Sequence, residues 1–273
     1  MSGAQSVPLP IDEKGARIAS GQGLDLALLT PGAHCPSMVM MPGPRRDEIL
    51  ARASQDDFLI IEDDYEGEVA FAREPALKSR DRDGRVIYLG TLSKTLAPGV
   101  RLGFLVAPEP LVKEARWLRR LVHRSVPLNN QRTAAIFLAE GHYLSLLRKL
   151  RAAHADRWYR VMEHLPDLLP GFRAPDPCHG GSSVWLELPE GVDGRALIAA
   201  AGAEGILLEN GDPFVAPEQA GRFIRLGLSL IQTEAIVPGM RLLGEIAARL
   251  AEEGASGPNE NAALDQSGAQ AAS

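Results

Sequence analysis

Four short apolar runs, each closed by polar or turn-forming residues, limit what this chain can fold into. They are LDLALLTP (24–31), FLIIEDD (58–64), VIYL (86–89) and RLGFLVAP (101–108). Runs this short, bounded by turn signals, read as buried strands rather than helices. Between the first two, residues 42–55 carry a helical apolar pattern around Ile49, Leu50 and Ala53. Upstream, IDEKGAR has the look of a hairpin or a short excursion before the first strand. Strand, helix, strand, loop, strand, loop, strand in succession predicts an α/β architecture with a mostly parallel sheet.

The pattern changes after the fourth run. Residues 109–125 and 129–141 read as helices. Residues 142–169 read as one long amphipathic helix, with Leu146, Leu147, Leu150, Ala153 and Trp158 on its apolar side and its arginines on a solvated face. From Gly171 a smaller α+β unit is expected, built from SSVWLELP, the helix GRALIAAAGAEG stopping at Gly205, ILLE and RFIRLGLSL. A closing helix follows from Thr233, kinked or restarted by Pro238. The expected division is therefore a large α/β part over 1–140, a connecting helix over 141–170, a small α+β part over 171–252 and a disordered tail over 253–273.

Composition excludes several roles. The net charge of −6 is wrong for a general nucleic-acid or membrane-surface binder. Cys35 and Cys178 lack metal-ligand spacing and read as free thiols of a reducing compartment. No apolar run approaches the roughly 20 residues of a membrane span, and MSGAQSVPLP lacks a basic region followed by an apolar one. These features predict a cytoplasmic protein.

The chemistry gathers at the loop GTLSKTLAPG between the last two strands. Lys94 lies there between hydroxyl residues, with Arg101 seven positions on. Such a lysine is ordinarily a solvated surface charge. Here it emerges at the end of a strand, where open α/β sheets place their ligands. Asp63 and Tyr65 end the neighbouring parallel strand, on the same edge. An acid, a phenol, a lysine, the Thr91 and Ser93 hydroxyls and an arginine suit a ligand with a phosphate, an aromatic nitrogen that keeps a proton and a carbonyl that accepts an amine. Pyridoxal 5'-phosphate has all three.

The segments IIEDDYEGE, YLGTLSKTLAPGVRLGF and FIRLGLS resemble the aminotransferase-like domain of fold type I pyridoxal-phosphate enzymes. The similarity is greatest to the version joined to a winged helix in GntR-type regulators of the MocR subfamily, and it covers residues 7–250. The resemblance implies Lys94 as the Schiff-base lysine, Asp63 as partner of the pyridine nitrogen and Tyr65 as hydrogen-bond partner of the ring 3-oxygen. It implies Thr91, Ser93 and Arg101 as phosphate ligands, and Arg225 as the anchor of a substrate α-carboxylate. His34, His142 and Tyr143 read as ordinary loop and helix-start residues.

Two departures from the family pattern matter. The family has TPxHQxPxG where this chain has Thr30-Pro-Gly-Ala-His-Cys-Pro-Ser-Met38. Pro31 and Pro36 are retained, but the His falls on Ala33, the Gln on His34, the Gly on Met38, and the related cofactor-binding asparagine of the wider class on Cys35. The chain also begins at the family's VPxDExG element, here Val7 to Gly15. The expectation is thus a partial cofactor site and no direct nucleic-acid binding by this chain. The function implied is amino-group transfer between an amino acid and a 2-oxo acid through Lys94. The alternatives are an effector-sensing module for an amino acid or amine, or an inactive remnant. A homodimer is the family default.

Overall fold

The computed structural model describes residues 3–175 and 180–256. Cys178 and residues 257–273 of the expected tail lie outside the described residues.

The strand-forming runs assemble as one four-stranded sheet in the order β3–β4–β5–β6, comprising β3 (Leu26–Leu29), β4 (Leu59–Asp64), β5 (Val86–Thr91) and β6 (Gly103–Val106). It is preceded by a small antiparallel hairpin, β1 (Ile11–Asp12) and β2 (Gly15–Ala16). β3, β4 and β5 are mutually parallel and β6 is antiparallel to β5. The reversal follows from a short connection. Leu92 N–H donates to Leu102 C=O at 2.9 Å, closing the lysine loop into a hairpin-like return with no room for a crossover helix.

Alternation of side chains gives the sheet two unlike faces. On one face Ala27, Leu29, Ile60 and Val86 are buried against Ile49 and Ala53 of α1 (Gly43–Gln55), with Phe58 and Leu77 filling the layer. On the other, Leu26 is 47% and Leu28 64% exposed. All of β6 is exposed, contrary to the expectation that both strands around the lysine loop are buried.

Two charged residues sit in the centre of the covered layer. Arg46 of α1 and Glu62 of β4 are each 1% exposed and approach to 3.7 Å. Arg46 Nε donates to the Met41 carbonyl at 2.8 Å, Nη2 to Pro31 at 2.7 Å and Nη1 to Pro75 at 3.1 Å. The Glu62 carboxylate accepts the backbone N–H groups of Leu77 and Lys78, both at 2.8 Å. These two residues fasten the loops on either side of β4 to α1 and to the short helix α2 (Leu77–Arg80).

After the sheet come α3 (Glu109–Val122), α4 (Leu128–Ala139) and α5 (His142–Leu168). The buried stripe of α5 is Tyr143, Leu147, His154, Trp158, Val161 and Leu165, one or two turns apart in sequence as an amphipathic helix requires. Its arginines are not all a solvated face. Arg151 Nε donates to the Glu68 carbonyl at 2.9 Å, and Arg157 Nη1 donates to the carbonyls of Leu228 and Ser229 at 3.0 and 2.7 Å. The C-terminal half of α5 packs on an antiparallel sheet ordered β7 (Ser183–Glu187), β9 (Phe223–Gly227), β8 (Glu209–Asn210). α6 (Gly194–Ala203) and α7 (Ile236–Ser256) cover the same core. β8 holds only two residues, shorter than ILLE suggests and shifted toward Gly211. α7 continues through 253–256, which the tail was expected to include. Pro238 sits in its first turn, where a missing N–H costs nothing.

Replacing Arg46 with Met strands Glu62 and three carbonyls in an apolar layer. The expected loss is about 3 to 5 kcal/mol in urea denaturation. A loss below about 1 kcal/mol would show that the pair does not hold the layer together.

Candidate functional site

The C-terminal ends of β4 and β5 carry the candidate site. In the parallel register Asp63 lies opposite Leu89, so Asp63, Leu89 and Thr91 share a face, the one not covered by α1. Asp64 points the other way and accepts the Tyr88 hydroxyl at 2.7 Å. Just beyond the strand, Gly67 lies against the Asp64 carboxylate, and a Cβ there would collide with it.

Asp63 is half-buried, and its carboxylate accepts no hydrogen bond and meets no cation among the described residues. Burial, and then the neighbouring charge of Asp64, hold it above the ordinary aspartate range. Tyr65 follows the strand. Among the described residues its hydroxyl has one hydrogen-bond partner, the Met38 sulfur at 3.9 Å, and burial pushes the phenol far above its usual range.

The lysine loop is built for support from its base. Ser93 N–H donates to Thr91 Oγ1 at 3.1 Å, and that hydroxyl reaches Leu102 C=O at 3.4 Å. Thr95, 4% exposed, donates to Leu92 C=O at 3.2 Å, and Tyr143 of α5 reaches Thr95 Oγ1 at 3.3 Å. Tyr143 therefore buttresses the residue next to Lys94, a role that its place at a helix start did not reveal. Lys94 itself is exposed and makes no hydrogen bond or ion pair among the described residues. Arg101 is exposed as well, in a left-handed conformation with φ 49° after the turn Pro98–Val100. Asn130 of α4 fastens that turn through the Val100 carbonyl at 3.0 Å.

Arg225 comes from far along the chain, in the middle of β9. Ile224 and Leu226 point into the core, so Arg225 points out of the other face, with Trp185 of β7 opposite it in register. The sheet that carries Arg225 is tied to the end of β4 through Glu66. That carboxylate, 2% exposed, accepts the Ser182 backbone N–H at 3.0 Å and also the Ser182 hydroxyl, tying the loop after β4 to the start of β7. The convergence is felt at Cys35. Burial raises the thiol above its ordinary range, while the charges of Arg225, Glu209, Glu66 and Lys94 all act on it. Tyr65 in turn feels Glu66, Cys35, Arg225 and Asp63.

The structure thus brings Asp63, Tyr65, Lys94 and Arg225 to one neighbourhood, with Thr91 and Ser93 at the base of the lysine loop. It gives Arg101 no contact with the others. Sequence reasoning missed Glu209, which pairs with Arg225 across two strands, and Glu66, which joins the two sheets. Glu209 lies in no motif, and although Glu66 stands inside IIEDDYEGE, nothing local shows that its partner is Ser182. A groove of about 1000 Å³ runs along β3 to His34, Cys35 and Phe214, and none of the candidate site residues lines it.

An acid with a raised folded-state value is penalised when ionised in the folded protein. Stability is then fullest below the ordinary value of 3.8 and falls as pH rises through the folded value. Asp63→Asn removes that fall. Cofactor-free Asn variant is expected to be more stable than wild type at neutral pH, by less than about 1 kcal/mol because the group is partly solvated. The gap should close below the ordinary value, and equal urea midpoints at pH 7 would contradict the carboxylate's isolation.

No family model matches the chain. It is 41% identical over 244 residues to the HTH-type transcriptional regulator TauR of Rhodobacter capsulatus, covering 88% of this chain and 50% of that protein. It is 30% identical over 253 residues to aromatic-amino-acid aminotransferase 1 of Thermococcus litoralis, covering 88% of this chain and 60% of that one. The chain therefore spans half to three-fifths of the length of these relatives. Among solved structures, LysN of Thermus thermophilus, an α-aminoadipate aminotransferase complexed with N-(5'-phosphopyridoxyl)-L-leucine, superposes with a TM-score of 0.80 at 27% identity. That match covers 90% of this chain and 66% of LysN. No helix among the described residues is long and apolar enough to cross a membrane. The chain has the α/β fold of fold type I pyridoxal-phosphate aminotransferases and is homologous both to those enzymes and to MocR/GntR-type transcriptional regulators.

Proposed function

We propose that the chain binds pyridoxal 5'-phosphate at the C-terminal edge of its parallel strands and there transfers an amino group between an amino acid and a 2-oxo acid. One observation carries this reading: Asp63 and Thr91 lie on the same face where the parallel strands β4 and β5 end, with Tyr65 and Lys94 just beyond those ends, and the Asp63 carboxylate meets no cation among the described residues. A partly buried, unpaired carboxylate suits a protonated ring nitrogen, which would restore its charged form.

The roles follow residue by residue. Asp63 holds the proton on the pyridine nitrogen. Tyr65 donates its O–H to the ring 3-oxygen, replacing a weak contact to sulfur. Thr91, Ser93 and Arg101 bind the phosphate oxygens, Arg101 through its fork. Arg225 takes the α-carboxylate of the amino compound. When bound, pyridoxal phosphate supplies an electron sink for the pair left by the departing α-proton. Lys94 would hold the group through its Nζ and, as a free amine, that same Nζ would accept and return the α-proton of the amino compound, as base and then acid.

A second reading, effector sensing without turnover, is favoured by the 41% identity to a transcriptional regulator. The residues and cofactor are the same in both readings, and only the fate of the amino compound differs. We take the assembly to be a homodimer. The apolar side chains left uncovered on β6 and α3, Leu105, Leu118, Leu121 and Val122 among them, support association.

Incubation with pyridoxal phosphate should raise the melting temperature and produce a visible absorbance band. Lys94→Ala should lose the band. Absence of both effects at saturating cofactor would sink the two readings together and leave the inactive remnant. With the band in hand, bleaching by an amino acid and its return with a 2-oxo acid marks an enzyme. A shifted but unbleached band marks a sensor.

A further inference from the structure

The Arg225–Glu209 pair is the least settled charged contact near the site. Glu209 lies on β8 directly across from Arg225 on β9, and its Oε2 accepts from Arg225 Nη1 at 2.6 Å. The arginine side chain is 13% exposed and the glutamate 54%. Arg225 Nε is buried and has no hydrogen-bond partner among the described residues. Burial works against the guanidinium charge, and the hydrogen bond and charge of Glu209 more than offset it, keeping Arg225 above its ordinary range.

As a device for stability this arrangement is poor. A pair with one partner half in water contributes at most about 1 kcal/mol, whereas an orphaned buried donor costs about 1 to 3 kcal/mol. As a device for binding it makes sense. Arg225 is rigidly placed, between Trp185 on one neighbouring strand and Glu209 on the other, and Trp185 is itself held by rings stacked on Phe223 at 5.2 Å and edge-on to Phe214 at 6.2 Å. Glu209 is the more exposed partner. It sits on a two-residue edge strand, is half-exposed, and holds the fork through a single oxygen.

We propose that Glu209 is a displaceable counter-ion that guards Arg225, and that a ligand's carboxylate binds by pushing it into solvent. A bidentate carboxylate would take two N–H groups where Glu209 takes one, so planar carboxylates of amino acids are the class admitted. Amines without an anionic group gain nothing from the exchange. The guard lowers the affinity for every amino carboxylate by the fraction of time Glu209 is away. This inference rests on Arg225 being the anchor of the amino compound, as proposed above.

The test compares wild type, Glu209→Gln and the double variant Glu209→Gln/Arg225→Gln, each loaded with pyridoxal phosphate. L-Alanine and L-leucine are titrated against their decarboxylated counterparts, ethylamine and isoamylamine. The readouts are the visible spectrum and calorimetric binding. Glu209→Gln should bind the amino acids about tenfold more tightly and the amines within about twofold of wild type. The double variant should lose the gain. Unchanged or weaker amino-acid binding in Glu209→Gln, or a parallel gain for the amines, overturns the guard, and so does a panel to which neither protein responds. A missing cofactor band in wild type is a different failure, that of the cofactor site itself.

Discussion

The buried pair of Arg46 and Glu62 is the constraint on which the rest of this structure depends. A guanidinium and a carboxylate in an apolar layer are tolerable only when every donor and acceptor finds a partner. Arg46 meets that demand with carbonyls of three loop residues, Pro31, Met41 and Pro75, and Glu62 meets it with two backbone N–H groups of α2. The loop that carries Cys35 begins at one of those carbonyls and ends at another. Satisfying a buried charge therefore also holds in place the segment on which the site residues converge.

A second coupling works across the molecule. Glu66 leaves β4 three residues after Asp63 and closes on Ser182, where β7 begins. Through that contact the sheet bearing Arg225 is set against the sheet edge bearing Asp63. Arg157, on the two carbonyls after β9, fastens the same sheet to α5 from the other side. Arg225 and Glu66, more than 150 positions apart, thus act on one thiol. The geometry belongs to buried hydrogen bonds more than to any single packed surface.

Much of this was legible in the chain. The strands showed because apolar runs of four to seven residues between turn signals have few other uses. α5 showed because its apolar side repeats each turn, although two of its arginines proved to be clamps, since periodicity cannot tell a solvated charge from one that finds a carbonyl. The antiparallel return of β6 was not legible. Direction depends on how the loop closes at Leu92 and Leu102, and an apolar run looks the same either way. β8 was misjudged because a two-residue strand is defined by its partner and has no periodicity of its own.

The site divides in the same manner. Lys94, Asp63, Tyr65, Thr91, Ser93, Arg101 and Arg225 all stand in motifs, because chemistry that needs an amine, an acid and hydroxyls at one strand edge leaves short-range spacing in the sequence. The sequence by itself determined the α/β class, the residue types at the sheet edge and the homology they signal. Only the tertiary structure decided that Asp63 stands without a cation, that Tyr143 supports the lysine loop and that Arg225 is already held by Glu209. Those are facts about distance and burial between segments far apart in the chain, and a linear sequence carries no direct measure of either.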